Sequence, residues 1–575
     1  MSDKAKKILI KYIFPAVLLF YPLLKVNQGI DLTDSCYGLV NYQFFPYAGQ
    51  EWTVATYLAN VLGAILVRLP FGETLIGIRV YTGLLVSAMA LLSYYFLKGK
   101  MPPWLAFLGE IAAVSLCWIP TTSLYNYLTF ALFLAGTVTL YRGLVWQKRT
   151  LMALAGGFLG ASVLTRLPNI LECGLIIAVF YYGILKKKEA KEIWKDVGAC
   201  VAGFLAVFLA GFLAISLQFG FGAYVQMIEG LTGYQTTDAT YSPFSMVTSV
   251  FGAYVRSFKW VLLLVVAAAM GRVLFLLLPG RFEKAKMAVY VCMFPVLLRL
   301  LWGRGMFNFQ YAFYWSVFEW MMVLLYAAMG LCIWTLADPR VFGRDKLLAL
   351  LVLLVILITP IGSNNETYPN MNNLFLAAPV TFWFCYRLYL VLKGRKGTFA
   401  WRAMLLFVGG FFMIQSLGFG VRAVFRDSIE GQKRDSVVTG SAKLAGVKTN
   451  AANAAALQGL IDYYNENGLK EDTVRSRGLI TFGDLPGVNW LYGMPSGLSH
   501  DWPDMNTYSA EQMKVDLEQI RYRNSKPPLV VLNPSKVDLE EPQEAQKWAA
   551  LQDYLANNGY EIKMDNGTYQ VFDIN

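Results

Sequence analysis

Two aspartates, Asp31 and Asp34, stand in the stretch GIDLTDSCYGLVNYQFF at 29–45, directly after the first long apolar segment. A carboxylate accepts a proton from a hydroxyl group in general base catalysis, and it also helps to hold cations. Charged groups close to a bilayer are costly and usually functional. By residue type alone the stretch also fits a solvated loop in which Asp34 caps the following helix. The pair is therefore a candidate site, and the surrounding elements decide between these interpretations.

The composition indicates a polytopic membrane protein. Apolar residues make up 56% of the 575 residues, and the mean hydropathy is +0.45, whereas soluble domains run to about 45–50% apolar. A spanning helix needs about 20 apolar residues. We predict thirteen spans, the first retained rather than cleaved, near 8–24, 74–97, 103–120, 122–143, 150–165, 169–185, 197–217, 257–278, 285–301, 312–336, 346–361, 374–392 and 403–421.

Charge then predicts the orientation of these spans. The net charge is +12, and the N-terminal MSDKAKK is basic. Connectors on the opposite side, such as 121–126 and 362–373, have no Lys or Arg. Because cytoplasmic loops carry the excess of Lys and Arg, the N-terminus is expected inside and the C-terminal region outside. The basic connectors on the N-terminal side are 98–100, 141–149, 186–195, 280–286, 338–346 and 393–402.

Three segments are expected outside the cytoplasm: residues 25–73, about 218–256, and the tail from 422. Within the first, 53–70 is apolar but has no basic cytoplasmic flank, which favours a helix lying in the membrane interface. The tail carries 16 Lys and Arg against 21 Asp and Glu. Its runs GLITFG, PLVVLN, YEIKMD and TYQVFD resemble strands, and AANAAALQGLIDYYNENG and EEPQEAQKWAALQDYLANNG resemble helices. The tail is therefore predicted to be an α/β domain.

Composition also excludes some chemistry. The chain has seven Cys residues without metal-binding spacing, and its single histidine is His500. Zinc chemistry and histidine acid–base catalysis are thus excluded for the membrane part. The basic residues lie in short loops rather than on a soluble face, so no nucleic-acid partner is expected.

The order of these elements resembles the membrane glycosyltransferases of the GT-C fold. That group includes the protein O-mannosyltransferases and the aminoarabinose transferases of lipid A. The matching residues are Asp34 and Tyr37 in TDSCY, and Gly72 and Arg79 in FGETLIGIRV. The first 170 residues or so match best, and the remainder matches only in topology. Where the commonest pattern has a Glu after the Asp, this sequence has Ser35, and Asp31 is the candidate second carboxylate.

The resemblance implies a GT-C-like transmembrane domain at 1–421, with the acidic motif in the loop 25–73, and an extracytoplasmic α/β domain at 422–575. It further implies an inverting glycosyl transfer on the outer face of the membrane. The absence of cysteines from the tail favours a bacterial plasma membrane over a secretory pathway. The donor would be a polyprenyl-phosphate-linked sugar, and the acceptor an envelope glycan, lipid or protein. Asp34 is the preferred general base and Asp31 the second candidate. No cofactor is assigned, and the pattern leaves open a divalent cation.

Other residues are candidates for substrate contacts. An outward-facing arginine suits the phosphate of the donor, and Arg166 in LTRLPN and Arg304 in LWGRG have such positions. Each also fits a structural role, in which the side chain reaches toward lipid headgroups. Tyr37, Tyr125, Asn126 and Asp238 are the candidate substrate-binding residues.

Two other functions remain as alternatives: a transporter or flippase of lipid-linked saccharide, and a non-catalytic scaffold of the same fold. Transporters place ionisable groups at mid-bilayer, and here the main acidic residues within spans are Glu110, Glu172 and Glu319. A scaffold would be consistent with Ser35 marking a degenerate site.

Overall fold

The computed structural model describes residues 2–47, 50–117, 122, 125–237, 242–277, 280–309, 315–363, 365–393, 395, 397–427, 432–471, 477–520 and 526–574. The part before residue 423 is helical. Its helices are α1 (Asp3–Ile8), α2 (Phe14–Phe20), α3 (Asp34–Phe44), α4 (Gln50–Ala55), α5 (Tyr57–Arg68), α6 (Leu75–Leu97), α7 (Pro103–Leu116), α8 (Tyr125–Trp146), α9 (Arg149–Thr165), α10 (Ile176–Leu185), α11 (Ala190–Phe219), α12 (Ala223–Thr237), α13 (Pro243–Leu277), α14 (Glu283–Cys292), α15 (Phe294–Gly303), α16 (Trp315–Ala337), α17 (Gly343–Ile358), α18 (Ala377–Lys393) and α19 (Phe399–Arg422).

Among the described residues, eight helical segments are long and apolar enough to cross a membrane. All eight coincide with predicted spans, and the other five predicted spans fall on shorter helices. The prediction of a polytopic helical membrane protein is confirmed. The eight segments are Leu75–Leu97, Tyr125–Trp146, Leu167–Leu185, Ala190–Phe219, Phe244–Leu277, Glu283–Gly303, Trp315–Ala337 and Phe399–Arg422.

The apolar segment at 53–70 forms the short helices α4 and α5. Helix α5 has 12 residues, so at 1.5 Å per residue it is about 18 Å long and falls short of the ~30 Å hydrocarbon core. By contrast, α13 has 35 residues and starts at Pro243 rather than near 257. Residues 243–256, which the sequence analysis assigns to an external segment, continue the same helix.

Small residues let α9 and α11 pack closely. A Cβ on Gly156 or Gly160 of α9 would overlap the backbone carbonyls of Cys200 or Phe204 on α11, and a Cβ on Gly203 would overlap the carbonyl of Ala153. Glycines spaced four apart allow two membrane helices to approach at backbone distance. This pairing holds α9, and with it the residue after its end, Arg166.

After α19 the chain forms the α/β region that the sequence predicted. Strands β3 (Leu479–Phe482) and β4 (Leu529–Leu532) pair in parallel, and their side chains are buried. The four-stranded sheet has the order β3-β4-β6-β5, and the other two pairings are antiparallel. The other elements are β1 (Ser436–Val437), β2 (Lys448–Thr449), β5 (Glu561–Asp565), β6 (Gln570–Asp573), α20 (Ala451–Glu466), α21 (Gly487–Tyr492), α22 (Ala510–Gln519) and α23 (Pro542–Asn557).

The first predicted external loop and this C-terminal region share one core. The backbone N–H of Gly29 donates to the carbonyl of Lys448 at 2.7 Å, and the N–H of Lys448 donates to the carbonyl of Asn27 at 2.8 Å. The N–H of Gly487, at the start of α21, donates to the carbonyl of Leu32 at 2.7 Å. A Cβ on Gly487 would come within 2.5 Å of the Cβ of Cys36. Helix α3 is therefore fixed against the C-terminal region.

Candidate active site

The first turn of α3 is held by the carboxylate of Asp31. Its Oδ1 accepts a hydrogen bond from the N–H of Thr33 at 3.0 Å, and its Oδ2 accepts one from the N–H of Ser35 at 2.9 Å. The residue is 5% exposed. The capping role that residue type suggests for Asp34 is thus taken by Asp31, whose two oxygens satisfy N–H groups at the helix start.

Asp34 is the first residue of α3, and its carboxylate faces the C-terminal region. Its Oδ2 lies 3.0 Å from Nη2 of Arg426, and its side chain is 36% exposed. Burial raises the pKa of the Asp34 carboxyl to about 6, Arg426 opposes this shift, and Asp31 and Asp484 add to it. A carboxylate with such a pKa is mostly ionised at neutral pH and still basic enough to accept a proton.

Arg426 lies just beyond the end of α19 in a left-handed backbone conformation, with φ of 50°. This conformation is uncommon for a residue with a Cβ and marks a sharp turn of the chain. The sequence analysis did not identify Arg426 as a site residue. In the sequence, the one feature that could have pointed to Arg426 is its position just after the last predicted span. That position gives no information on its distance from Asp34.

Tyr37 lies one turn after Asp34 on α3. Its ring centroid is 5.5 Å from that of Trp502, in a tilted arrangement. Trp502 is 8% exposed, and the indole N–H has no hydrogen-bond partner in the part of the chain that the structure describes. The structure thus brings Tyr37 on α3 into contact with the C-terminal segment 483–504.

His500 fixes that segment rather than binding a metal. Its Nδ1 accepts a hydrogen bond from the N–H of Trp502 at 3.0 Å, and its ring stacks on Tyr508 with centroids 5.5 Å apart. Burial lowers the pKa of His500 to about 4, with a further contribution from Lys547. The imidazole is therefore neutral near pH 7 and serves as a hydrogen-bond acceptor within the fold.

The C-terminal region brings two more carboxylates, those of Asp484 and Asp504, to the neighbourhood of Asp34. Oδ1 of Asp504 accepts hydrogen bonds from the N–H groups of Gly483 at 2.6 Å and Asp484 at 3.2 Å. Its Oδ2 is buried, with no described partner. Burial raises the pKa of Asp504 to about 7. Asp484 interacts electrostatically with both Asp34 and Asp504, so the surroundings of Asp34 are acidic apart from Arg426.

Arg166 and Tyr125 are neighbours. The guanidinium carbon of Arg166 is 5.8 Å from the ring centroid of Tyr125, and its Nη2 donates to the carbonyl of Gly362. Tyr125 and Asn126 open α8, and both are partly exposed. These three predicted residues therefore lie close together, where α8 begins and α9 ends. No described contact joins them directly to Asp34.

The remaining predicted site residues are not joined to this group by any described contact. Arg304 follows the end of α15, is exposed, and lines a surface groove with Arg299. Asp238 lies outside the described residues.

The side chains near Asp34 do not form a ready-made cation site. Both oxygens of Asp31 are used by backbone N–H groups, and Asp34 pairs with Arg426. Within the described ranges, no group of three or more His, Cys, Asp or Glu side chains is arranged to hold a metal ion.

Comparison with known proteins gives structural similarity without sequence matches. No family model matches the chain, and no curated protein sequence matches it significantly. The chain is similar to ArnT from Cupriavidus metallidurans bound to undecaprenyl phosphate, with a TM-score of 0.46 and 12% identity over 99% of this chain and 98% of that one. It is also similar to the archaeal oligosaccharyltransferase AglB from Archaeoglobus fulgidus in complex with an inhibitory peptide and a dolichol-phosphate. That match has a TM-score of 0.48 and 11% identity, and it covers 98% of this chain and 74% of AglB.

Proposed function

We propose that this protein is a GT-C-type glycosyltransferase that moves a sugar from a polyprenyl-phosphate-linked donor to an acceptor at the outer face of a bacterial plasma membrane. The observation that carries the proposal is the state of Asp34. Its carboxylate is partly buried, lies 3.0 Å from Arg426, and has a pKa raised to about 6. This combination suits a general base that works near neutral pH.

In the proposed reaction Asp34 accepts the proton of an acceptor hydroxyl as that oxygen attacks the anomeric carbon. The new carbon–oxygen bond forms while the bond from the anomeric carbon to the phosphate oxygen breaks. The electron pair leaves with polyprenyl phosphate, and the configuration at the anomeric carbon inverts. Asp31 acts through the helix start and positions Asp34, since both of its oxygens are engaged by Thr33 and Ser35.

The donor phosphate is proposed to meet an arginine on the same side of the membrane. Arg166 is supported by its place directly after α9 and by its contact with Tyr125. Arg304 is the second candidate and is supported by its exposure beside Arg299. An arginine presents several N–H donors in a planar fork that matches phosphate oxygens.

Sugar and acceptor contacts are proposed for Tyr37, Tyr125, Asn126 and Asp238, and the loop 25–73 carries the base. The orientation that supports this assignment has the N-terminus in the cytoplasm and the α/β region 422–575 outside. In that orientation Asp34 and Trp502 share the outer side, because hydrogen bonds join residues 27–32 to the C-terminal region.

The test is an assay of glycosyl transfer by the full-length protein in inverted and in right-side-out membrane vesicles. Undecaprenyl-phosphate-linked glucose, mannose and aminoarabinose are the donors. Cell envelope from a strain that lacks this protein is the acceptor. Wild type is expected to transfer one of these sugars. Asp34→Asn is expected to lose at least ~100-fold in rate while remaining folded, because removal of a general base costs about 10²–10⁴-fold. Full activity of Asp34→Asn would refute the role of Asp34.

A transporter or flippase of lipid-linked saccharide is the second candidate, and Glu110 is the observation that favours it. Glu110 on α7 is fully buried, with the side chain of Ser93 beside its carboxylate. Buried ionisable groups within membrane helices often mark transport pathways. If transport is the function, Glu110→Gln changes the movement of undecaprenyl-phosphate-linked sugar between leaflets and Asp34→Asn does not.

A further inference from the structure

A cavity of about 90 Å³ lies where the residues after α2, helices α6, α7 and α8, and the end of α19 meet. It is at the same end of α6 as the acidic loop. Its wall includes Tyr21, Lys25, Arg79, Ser115 and Gly420. The volume exceeds the roughly 10–15 Å³ of free space that a cavity needs to hold one water. The cavity therefore has room for one small polyatomic group.

Lys25 brings a positive charge to this wall. Its Nζ donates to the carbonyl of Ala423, and the ammonium also experiences the positive charge of Arg434. Within the described residues Lys25 forms no ion pair with a carboxylate. A partly buried ammonium with a second cation nearby is an electrostatically unfavourable arrangement without an anion.

Arg79 brings a second positive charge. The residue is 3% exposed. Its Nη atoms donate to the carbonyls of Gln28 at 3.1 Å and Gly29 at 2.8 Å, while its buried Nε has no partner in the described structure. Asp31 and Asp427 act on Arg79 electrostatically. Both carboxylates are already engaged by hydrogen bonds to other groups, so neither pairs directly with the guanidinium.

Hydroxyl groups complete the polar wall. The Tyr21 and Ser115 side-chain oxygens are 2.8 Å apart. A Cβ on Gly420 would come within 2.5 Å of the Tyr21 oxygen and 2.9 Å of the Ser115 oxygen. A hydroxyl has one proton. Ser115 donates its proton to the carbonyl of Ile111 at 2.6 Å, so the Tyr21 hydroxyl donates to Ser115. The donors available to an anion at this wall therefore come from Lys25 and Arg79.

We propose that this cavity is an anion-binding site that takes a phosphoryl group between Lys25 and Arg79. Buried charges in proteins are normally paired, and here two cations share a cavity without a paired carboxylate among the described residues. The Nε–H of Arg79 and the remaining N–H donors of Lys25 suit an oxyanion in a compact cavity. The site is separate from the arginines proposed above for the donor, and its test measures binding rather than transfer.

The experiment is native mass spectrometry of the delipidated full-length protein in detergent, titrated separately with undecaprenyl phosphate and dioleoylphosphatidylglycerol, with and without inorganic phosphate. Wild type is expected to bind at least one lipid, and Lys25→Met to bind it at least about tenfold more weakly. Competition by millimolar phosphate would show that the free oxyanion suffices. Binding without competition would assign the site to a lipid headgroup. Both results support the proposal.

Controls keep the outcome clear. Lys100→Met is the matched control, because Lys100 also donates from Nζ to a helix carbonyl, that of Phe96 at 2.6 Å, but lies outside the cavity. Lys25→Arg is expected to retain binding, and Asp34→Asn to bind as wild type does even if glycosyl transfer is absent. The proposal is overturned if wild type binds no probe, or if folded Lys25→Met binds every probe as tightly as wild type and Lys100→Met.

Discussion

At the scale of single residues, Asp31 and Asp34 have the same side chain and opposite surroundings. Asp31 is 5% exposed and engaged by two backbone N–H groups, whereas Asp34 is partly exposed and engaged by one arginine. Hydrogen bonds from N–H groups stabilise a carboxylate and hold it in place, while a partly buried carboxylate keeps its affinity for a proton. This difference is the basis on which we propose a positioning role for Asp31 and a catalytic role for Asp34.

The ion pair of Asp34 predicts how the reaction depends on pH. Arg426 lowers the pKa of Asp34, so Arg426→Gln is expected to raise that pKa above its present value of about 6. Because the reactive form is the ionised carboxylate, the rising limb of kcat/KM against pH should move to higher pH. Activity should then fall most near pH 6 and least near pH 8. Arg299→Gln, an arginine outside this pair, is the control, and an unchanged profile for Arg426→Gln would contradict the assignment.

The capping role of Asp31 makes a different prediction. Asp31→Ala removes an acceptor from two N–H groups at the start of α3, which typically costs ~1 kcal/mol. We expect a lower melting temperature by differential scanning fluorimetry and a partial loss of kcat. Asp34→Asn should show the reverse, with melting little changed and turnover lost. Equal loss of turnover in both variants at equal stability would show that both carboxylates take part in the chemistry.

At the scale of helices, the contact between α9 and α11 depends on glycine at specific positions. A Cβ on Gly203 would overlap the backbone of α9, whereas a Cβ on Gly198 of the same helix would meet nothing within 4 Å. Because lipid offers apolar side chains as good an environment as another helix does, close backbone approach and packing drive this association. The absence of a side chain therefore matters for helix packing at Gly203 but not at Gly198, five residues earlier.

These two glycines give a matched test of the helix pairing. Gly203→Ala is expected to lower the melting temperature of the protein in detergent, because α9 and α11 must separate. Gly198→Ala is expected to be neutral or to stabilise, since alanine gains about 0.5–1 kcal/mol over glycine within a helix. Similar melting temperatures for the two variants would show that the helices accommodate a Cβ at both places.

At the scale of the whole molecule, the acidic loop and the C-terminal region depend on one another. Asp427 is 2% exposed, and its Oδ2 accepts hydrogen bonds from the N–H of Ile30 and the hydroxyl of Thr449, at 3.3 and 2.8 Å. Its Oδ1 accepts one from the side-chain amide of Asn450 at 2.6 Å. One carboxylate therefore joins residues that are far apart in the chain, and through them it supports α3.

Hydrogen–deuterium exchange tests this dependence. Asp427→Ala leaves several buried donors without an acceptor, at about 1–3 kcal/mol for each unsatisfied group. Amides at 27–33 and 447–453 are expected to lose protection together. Asp565→Ala is the control, because Asp565 also accepts backbone and side-chain hydrogen bonds but lies at the exposed hairpin between β5 and β6. Loss of protection confined to 447–453 would show that the two segments open independently.

The sequence by itself determined the long membrane helices and the strands of the four-stranded sheet, since each is specified by a local pattern. Apolar runs of about 20 residues predict spans, and this holds for segments as distant as Leu75–Leu97 and Phe399–Arg422. The buried strands Leu479–Phe482 and Leu529–Leu532 appear in the sequence as short apolar runs between turn residues. Asp31 and Asp34 were also recognisable from residue type and position.

Only the tertiary structure decided how the two aspartates differ. Arg426 reaches Asp34 because hydrogen bonds between residues 27–32 and the C-terminal region bring segments about 400 residues apart into contact. Lys25 and Arg79 share a cavity because the ends of several membrane helices meet there. Such contacts depend on how whole elements pack, and a pattern read along 10–20 residues carries no information about a partner on a distant segment.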